Sequence, residues 1–419
     1  MRGLLEGIRV IDFTQAIAGP FGSVVLADMG AEIIKVENVP RTDPPATTNP
    51  EEIEVTMDIA HFWALNRGKK GICLDMRKES AREVFYDLVK VSDIVFDNFR
   101  PDVPKKLGIN YDTIEQYNPR IISCSISGYG EGGPWKDQPS FDVIGQAMSG
   151  LMSITGEAPG RMPVRTGVAF GDVGAGIFAA FGIVCALLAR ERTGKGQRVE
   201  TSILDCLLAY LAYRVPQTFG AGKKIGPEPR RSGAGQVPYG PFKAKEGWIV
   251  IAAGMEHHWK GFCKVVGREA LITDPHFDTV LKRREHEDGL NQILEEVFRA
   301  KTAEEWEQLF FEAKVPASKV NTVEEAFLHP QAQVRKMLIS FDHRLGKKMN
   351  CAGNPLKISD FKDQQYEPAP GIGEHTQEVL SKILLYPDGK IEKLREERAI
   401  WYPDKGVTYG AGWALARGG

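Results

Sequence analysis

Strand-like and helix-like stretches alternate along the first third of the chain, and this rhythm restricts the fold more than any single motif. GIRVIDFT is a short β-rich run; the turn-like QAIAGP leads into FGSVVLADMG, which reads as a helix, and AEIIKVE is a second strand. Pro20 suits a first helical turn, where no amide donor is missed, and Gly30 suits its stop. Strand, helix and strand within about 30 residues describe a parallel βαβ unit. GICLDM, KESAREVFYDLVKVSD, IVFDNF and IISCSIS continue the pattern. The expectation is an α/β fold: an open, doubly wound Rossmann-like sheet in a large domain.

At 419 residues the chain is too long for one ordinary core. After about Pro216 its character changes: a Gly, Pro and Arg-rich stretch precedes FKAKEGWIVIAA, a hairpin around Glu246-Gly247. Helices follow in EHHWKGFCKVVG, GLNQILEEVFRA and AEEWEQLFFEAK, the last opened by a capping box from Thr302 to Glu305. Strands are expected in MLISFDH and the GNPLKIS run, and PGIGEHTQEVLSKIL is a loop entering a helix. The expected organisation is a large domain over 1–222, a smaller α+β domain over 223–328, a segment 329–400 returning to the large domain, and an extended tail over 401–419.

Charge and cysteine usage exclude several classes. A net charge of −2 sets up no field to draw nucleic acid or an anionic membrane. The six cysteines lie far apart without a CxxC pair, which fits reduced thiols in a cytoplasmic protein rather than a disulfide framework or a zinc site. The histidines make no HExxH pattern, so no metal is expected. MRGLLEGIRVIDF lacks the features of a secretory signal. The apolar run Val173–Ala189 falls short of the roughly 20 residues that span a bilayer, and it reads as a buried core helix.

A nicotinamide site is poorly supported. TQAIAGP carries one glycine where a dinucleotide fingerprint needs three. GYGEGG matches GxGxxG literally, but PWKDQPS follows it and cannot open the helix that would hold a pyrophosphate.

One acid stands out. Between Arg165 and Arg190 the only charged residue is Asp172, set among Gly171, Gly174 and Gly176. An N-cap role is the plain explanation. The functional one is a nucleophile: glycines would leave room for a bulky ligand, and an ordinary pKa near 3.9 keeps the carboxylate ionised at neutral pH.

The chain resembles the class III CoA-transferases, the family of formyl-CoA transferase and carnitine CoA-transferase. The likeness runs from about Leu4 to Leu394 through VIDFTQAIAGPFGSVVLADMGAEIIKVE, LNRGKKGICLDM, SDIVFDNFRPDVPKKLGINYDTI, SISGYGEGGPW, FDVIGQAMSGLMSITG, RTGKGQRVETSILD and GIGEHTQEVL. The resemblance implies that Asp172 attacks the thioester of a donor acyl-CoA, giving an aspartyl anhydride and then an enzyme-bound CoA thioester, from which a carboxylic acid acceptor takes CoA. It implies CoA contacts at Ala16, Ile17, Ala18, Asn38, Leu74, Asn98, Phe99 and Lys106. It also implies a glycine loop over the aspartate, matched in shortened form by Gly233-Ala234-Gly235-Gln236. Lys69, Lys70, Lys105 and Lys106 are phosphate candidates as point charges.

Ile17 stands where the formyl-CoA enzyme has glutamine and Asn38 where it has arginine, which points away from an oxalate-like acceptor. Two chains threaded into an interlocked dimer are implied as well, either as a homodimer or with a homologous subunit. α-Methylacyl-CoA racemases share the superfamily but carry histidine where this chain has Phe141, ahead of Asp142. Phenylalanine takes no proton, which favours transfer. Asp142 is expected to support the site as a hydrogen-bonding carboxylate or to cap a helix. A catalytically silent partner subunit is the remaining alternative.

Overall fold

The computed structural model describes residues 3–42, 46–47, 56–228, 230, 235–343, 346–361, 366–404 and 408–409. They form two compact units, one of 1–151, 166–213 and 334–419, the other of 152–165 and 214–333. The second unit thus begins nine residues ahead of the expected 223 and takes in an excursion at 152–165 that no composition change announces.

The first unit is built on six parallel strands: β1 (Arg9–Asp12), β2 (Glu32–Glu37), β3 (Lys69–Leu74), β4 (Ile94–Asp97), β5 (Ile122–Ser127) and β6 (Arg198–Ser202). Their spatial order is β3-β2-β1-β4-β5-β6, and the short strand Ile400–Trp401 pairs antiparallel with β3 at the edge. The backbone at Thr408–Tyr409 pairs antiparallel with Ala46–Thr47; 410–419, most of the expected tail, lie outside the described residues. Strands β1, β4 and β5 are buried almost throughout, as expected where helices cover both faces. One face packs α3 (Glu79–Lys90) with Val379, Leu380, Ile391 and Leu394 of the returning segment. The other packs α1 (Ala18–Asp28), α6 (Phe170–Thr193) and α7 (Ile203–Tyr210); α2 (Met57–Asn66), α4 (Val103–Leu107) and α5 (Asp142–Met148) fall between α1 and α6 in the sequence.

Helices α1 and α6 touch backbone to backbone. A Cβ on Gly22 would sit 2.8 Å from the Gly176 carbonyl oxygen, and one on Gly176 2.5 Å from that of Ala18. Glycine is what lets the two helices approach this closely. Helix α6 is longer than the apolar run suggested, and it is the one described helix long and apolar enough to cross a membrane by length and composition. It is not a wholly buried core helix either. Ile177, Phe178, Phe181, Val184 and Leu188 form an exposed stripe at helical spacing, opposite the face packed on the sheet.

In the second unit, β7 (Tyr239–Lys243), β8 (Trp248–Ala252) and β9 (Ala317–Lys319) make an antiparallel sheet in the order β9-β8-β7. Helices α8 (Glu256–Val265), α9 (Glu287–Phe298) and α10 (Ala303–Glu312) bury an aromatic core of Trp259, Phe262, Phe298, Trp306 and Phe310 against it. The Thr302–Glu305 capping box forms as read. Leu338–Asp342 pairs with Lys348–Ala352 rather than with the GNPLKIS run, which holds only an isolated bridge at Ile358.

Candidate active site

Strand order reverses between β1 and β4, so the loops leaving their carboxyl ends diverge and open a crevice. A cavity of about 200 Å³ lies there. Ala16, Ile17 and Ala18 line it after β1, Asn98 and Phe99 after β4, and Phe141, Asp142 and Asp172 from the region of α5 and α6. Five of the eight residues expected to hold a CoA ester therefore share one cavity with the proposed nucleophile.

The Asn98 side chain also joins the two loops. Its Oδ1 accepts from the Gln15 amide at 2.8 Å and its Nδ2 donates to the Gln15 carbonyl at 2.7 Å, so the side chain pairs with backbone as a strand neighbour would. That clamp ties the β4 loop to the β1 loop beside Ala16, whose φ of 60° is an uncommon conformation for alanine. Beneath it, Asp97 accepts from the Phe99 amide at 3.0 Å and the Ser125 hydroxyl at 2.8 Å. Burial pushes the Asp97 carboxyl up to about 6.

Asp172 is not an N-cap. Ala169 holds that position without a side-chain bond, and Asp172 is the third residue of α6. The cap comes from α5: Asp142 Oδ1 accepts from the Gly171 amide at 2.7 Å and from the Asp172 amide at 3.3 Å. Asp142 Oδ2 accepts from Gln146 Nε2 at 2.5 Å, and Gln146 Oε1 accepts from the Thr166 amide at 2.9 Å. The carboxylate of Asp172 receives no hydrogen bond among the described residues and faces the cavity. Burial, and then the negative charge of Asp142, push its carboxyl up to about 7. The expectation of an acid ionised at neutral pH without help is thereby corrected: desolvation and a like charge both disfavour the anion.

The neighbouring glycines are corrected too. A Cβ on Gly171 would meet Ile203 and Leu207 at 2.8 Å, and one on Gly174 would meet the Tyr210 hydroxyl at 1.8 Å. They serve close packing of α6 against α7 and α1, not ligand access. Room beside Asp172 comes from the divergence of the strand loops.

Other expected residues lie elsewhere. The Leu74 side chain is fully buried in the core, so it makes no wall of the cavity. Asn38 is exposed just past β2, and Lys106 is paired with Asp102 at 2.5 Å on α4. Lys69 is no phosphate ligand. It is wholly buried, with Nζ 3.0 Å from Asp12 Oδ2, 2.7 Å from Ser23 Oγ and 2.9 Å from Asn66 Oδ1, and burial brings its ammonium down to about 8. Lys70, the next residue of β3, points the other way and pairs with Glu32 and Glu378.

Gly233 and Ala234 lie outside the described residues. Gly235 and Gln236 belong to the second unit, where Gly235 has φ 74° and the following turn is braced by the buried Arg283 bonding the Val237 and Gly254 carbonyls. Sequence reading missed Arg100, Lys136, Gln138 and Ser140, which line the cavity, and Gln146 behind it. For Gln146 a signal existed, its i,i+4 spacing from Asp142 on one helix.

Residues 5–376 match the family described as CoA-transferase family III. The chain is 36% identical to an acetyl-CoA:oxalate CoA-transferase of Acetobacter aceti over 93% of its length and 98% of the relative's. It is 34% identical to the succinyl-CoA:glutarate CoA-transferase of Mus musculus, covering 93% of this chain and 88% of that one. Among solved structures, a CAIB/BAIF family protein from Brucella suis superposes with a TM-score of 0.79 at 31% identity, over 91% of this chain and all of that one. With its sheet, its switch-point cavity and this near full-length similarity, the chain belongs to CoA-transferase family III, enzymes that transfer coenzyme A between carboxylic acids.

Proposed function

We propose that Asp172 is the nucleophile of CoA transfer. The observation that carries this reading is an unpartnered carboxylate facing the cavity that the β1 and β4 loops also line. In the first step a carboxylate oxygen of Asp172 attacks the donor thioester carbonyl, the C–S bond breaks, and CoA leaves as thiolate. The product is a mixed aspartyl anhydride. The thiolate then attacks the aspartyl carbonyl, expelling the donor acid and leaving CoA as an aspartyl thioester. An acceptor carboxylate attacks that thioester to form a second anhydride, and returning thiolate takes the acceptor acyl group and frees Asp172.

Each step passes through an oxyanion and an intermediate that water destroys, so amide donors and a closed site are required. The α6 amides of Gly171 and Asp172 are already taken by Asp142. The β1 loop at Ala16–Ala18, which lines the cavity, is the proposed source of oxyanion donors. Phe141 in the cavity wall supplies no acid or base, which favours transfer over racemisation.

A second copy of the chain is the proposed cover for the apolar stripe of α6, in a cytoplasmic homodimer with acyl-CoA and a carboxylic acid as substrates. Incubating the purified chain with several acyl-CoA esters against mono- and dicarboxylic acids tests the reading. Exchange of CoA between acids supports it; α-proton exchange without transfer supports a racemase instead, and inactivity until a homologous subunit is added supports the silent-partner alternative.

A further inference from the structure

The reactive acid is positioned by a chain of hydrogen bonds that runs through α5. Gln146 is fully buried, and both ends of its carboxamide are used. Its oxygen takes the Thr166 amide at 2.9 Å and its nitrogen gives a hydrogen to Asp142 at 2.5 Å, while the other Asp142 oxygen takes the Gly171 and Asp172 amides. Donor and acceptor alternate without a break, so the amide of Gln146 has one satisfied orientation. We infer that Gln146 is a positioning residue for CoA transfer, holding Asp142 against the start of α6 so that Asp142 both aims Asp172 and presses a negative charge on it. This inference rests on the nucleophilic reading of Asp172.

The benefit of such an arrangement lies in the cycle. Asp172 is anionic only when free; as anhydride or thioester it carries no charge. A neighbouring carboxylate therefore raises the energy of the free form relative to both covalent forms, and it makes the anion more basic toward a carbonyl. Gln146 prevents the opposite outcome, in which Asp142 turns away to solvent and the helix amides stabilise the free anion instead.

The groups around Asp172 bear this out. Helix α7 brings Cys206 and Tyr210 to the packed face and leaves Asp205 exposed, β5 brings Cys124, β6 brings Arg198 and Glu200 paired with each other, and α1 carries no ionisable group but Asp28, which is tied to Arg67. Arg100 and Lys136 stand at the cavity wall. Of all these groups, Asp142 is the one whose charge shifts Asp172.

The test is a charge exchange within the relay. In Asp142→Asn the new amide nitrogen faces that of Gln146, two donors without an acceptor. In Gln146→Glu two carboxylates meet. In the double variant the new amide at position 142 donates to the new carboxylate at position 146, which still accepts from the Thr166 amide. The order of donors is thus restored, with the charge moved one side chain further away. Each single variant should lose about 10- to 100-fold in kcat/KM, the cost of a small misplacement of a reacting group. The double variant should regain at least about tenfold over either single change, with its acid limb below that of the parent.

The pH dependence of carbodiimide labelling at Asp172, read by peptide mass spectrometry on ligand-free protein, reports the same coupling without any need for turnover. Asp142→Asn should move it to lower pH. A Gln146→Met protein that folds yet keeps the parent rate and the parent labelling profile overturns the inference, as does a double variant no better than the singles. Absence of transfer in the parent chain, with labelling shifts as expected, would instead count against the functional reading and leave the relay standing.

Discussion

Two buried acids in the first unit have opposite surroundings. Asp12 ends β1 and is closed in by donors: the Thr14 amide at 2.8 Å, Ser23 Oγ at 2.7 Å and Lys69 Nζ at 3.0 Å. Burial pushes its carboxyl up, but the charges of Lys69 and Lys35 with these hydrogen bonds bring it below the usual range. Asp172 starts α6 with a cavity on one side and another acid on the other, and it is pushed up to about 7. The difference teaches which acid is built to stay as it is. A carboxylate matched by a cation and saturated with donors is structural; one opposed by a like charge and left unsaturated suits the proposed nucleophile, which loses its charge on forming a bond.

The largest effect expected from breaking this contrast is at Asp172. Asp172→Asn should lower transfer by on the order of 10⁴-fold, because an amide cannot form the anhydride, while circular dichroism stays unchanged. Retained turnover would erase the distinction between the two acids. The next is Lys69→Met, which removes the ion-pair partner of buried Asp12 and leaves the charge of Lys35 as its remaining cationic support. Urea unfolding should show a loss of about 3–5 kcal/mol, the cost of orphaning one member of a buried pair; a loss near zero would mean that Asp12 does not depend on its partner.

A smaller change sharpens the other side. The proposed attack needs ionised Asp172, whose carboxyl is raised, so activity should be gained as pH rises through that value. kcat/KM should fall about tenfold per pH unit below about 7 and level off above it, and a flat profile from mildly acidic to alkaline pH would contradict this. The smallest expected effect is at Lys70, half exposed beside Glu32 and Glu378. Lys70→Ala should cost less than about 1 kcal/mol and leave KM for the acyl-CoA unchanged.

Much of this was legible in the sequence, and the limits have physical causes. The sheet of the first unit was visible because hydrophobic alternation and helix stops are local signals: β1, α1, β2, α3, β4 and β5 fall where their patterns place them. The cavity loops were reached through motif resemblance, whereas Asp172 stood out as the one charged residue between Arg165 and Arg190. What failed depended on burial and on partners distant in sequence. Lys69 and Lys70 read as phosphate candidates, yet β3 begins at Lys69 and alternation sends that side chain inward and Lys70 outward. Three glycines beside Asp172 looked like space for a ligand, because nothing local announces that α7 and α1 fill it. The raised carboxyl was unreadable for the same reason, since Asp142 lies 30 residues away and meets Asp172 only through the fold. GNPLKIS carries strand-like residues, but Lys348–Ala352 takes the pairing with Leu338–Asp342.

The central claim is that Asp172 carries CoA covalently during turnover. Its direct test is acid quenching of the enzyme with an acyl-CoA donor, followed by digestion and peptide mass spectrometry. The account predicts a CoA-sized adduct on the peptide containing Asp172, absent in Asp172→Asn. An adduct on another residue, or turnover with no adduct on the chain at all, would contradict it.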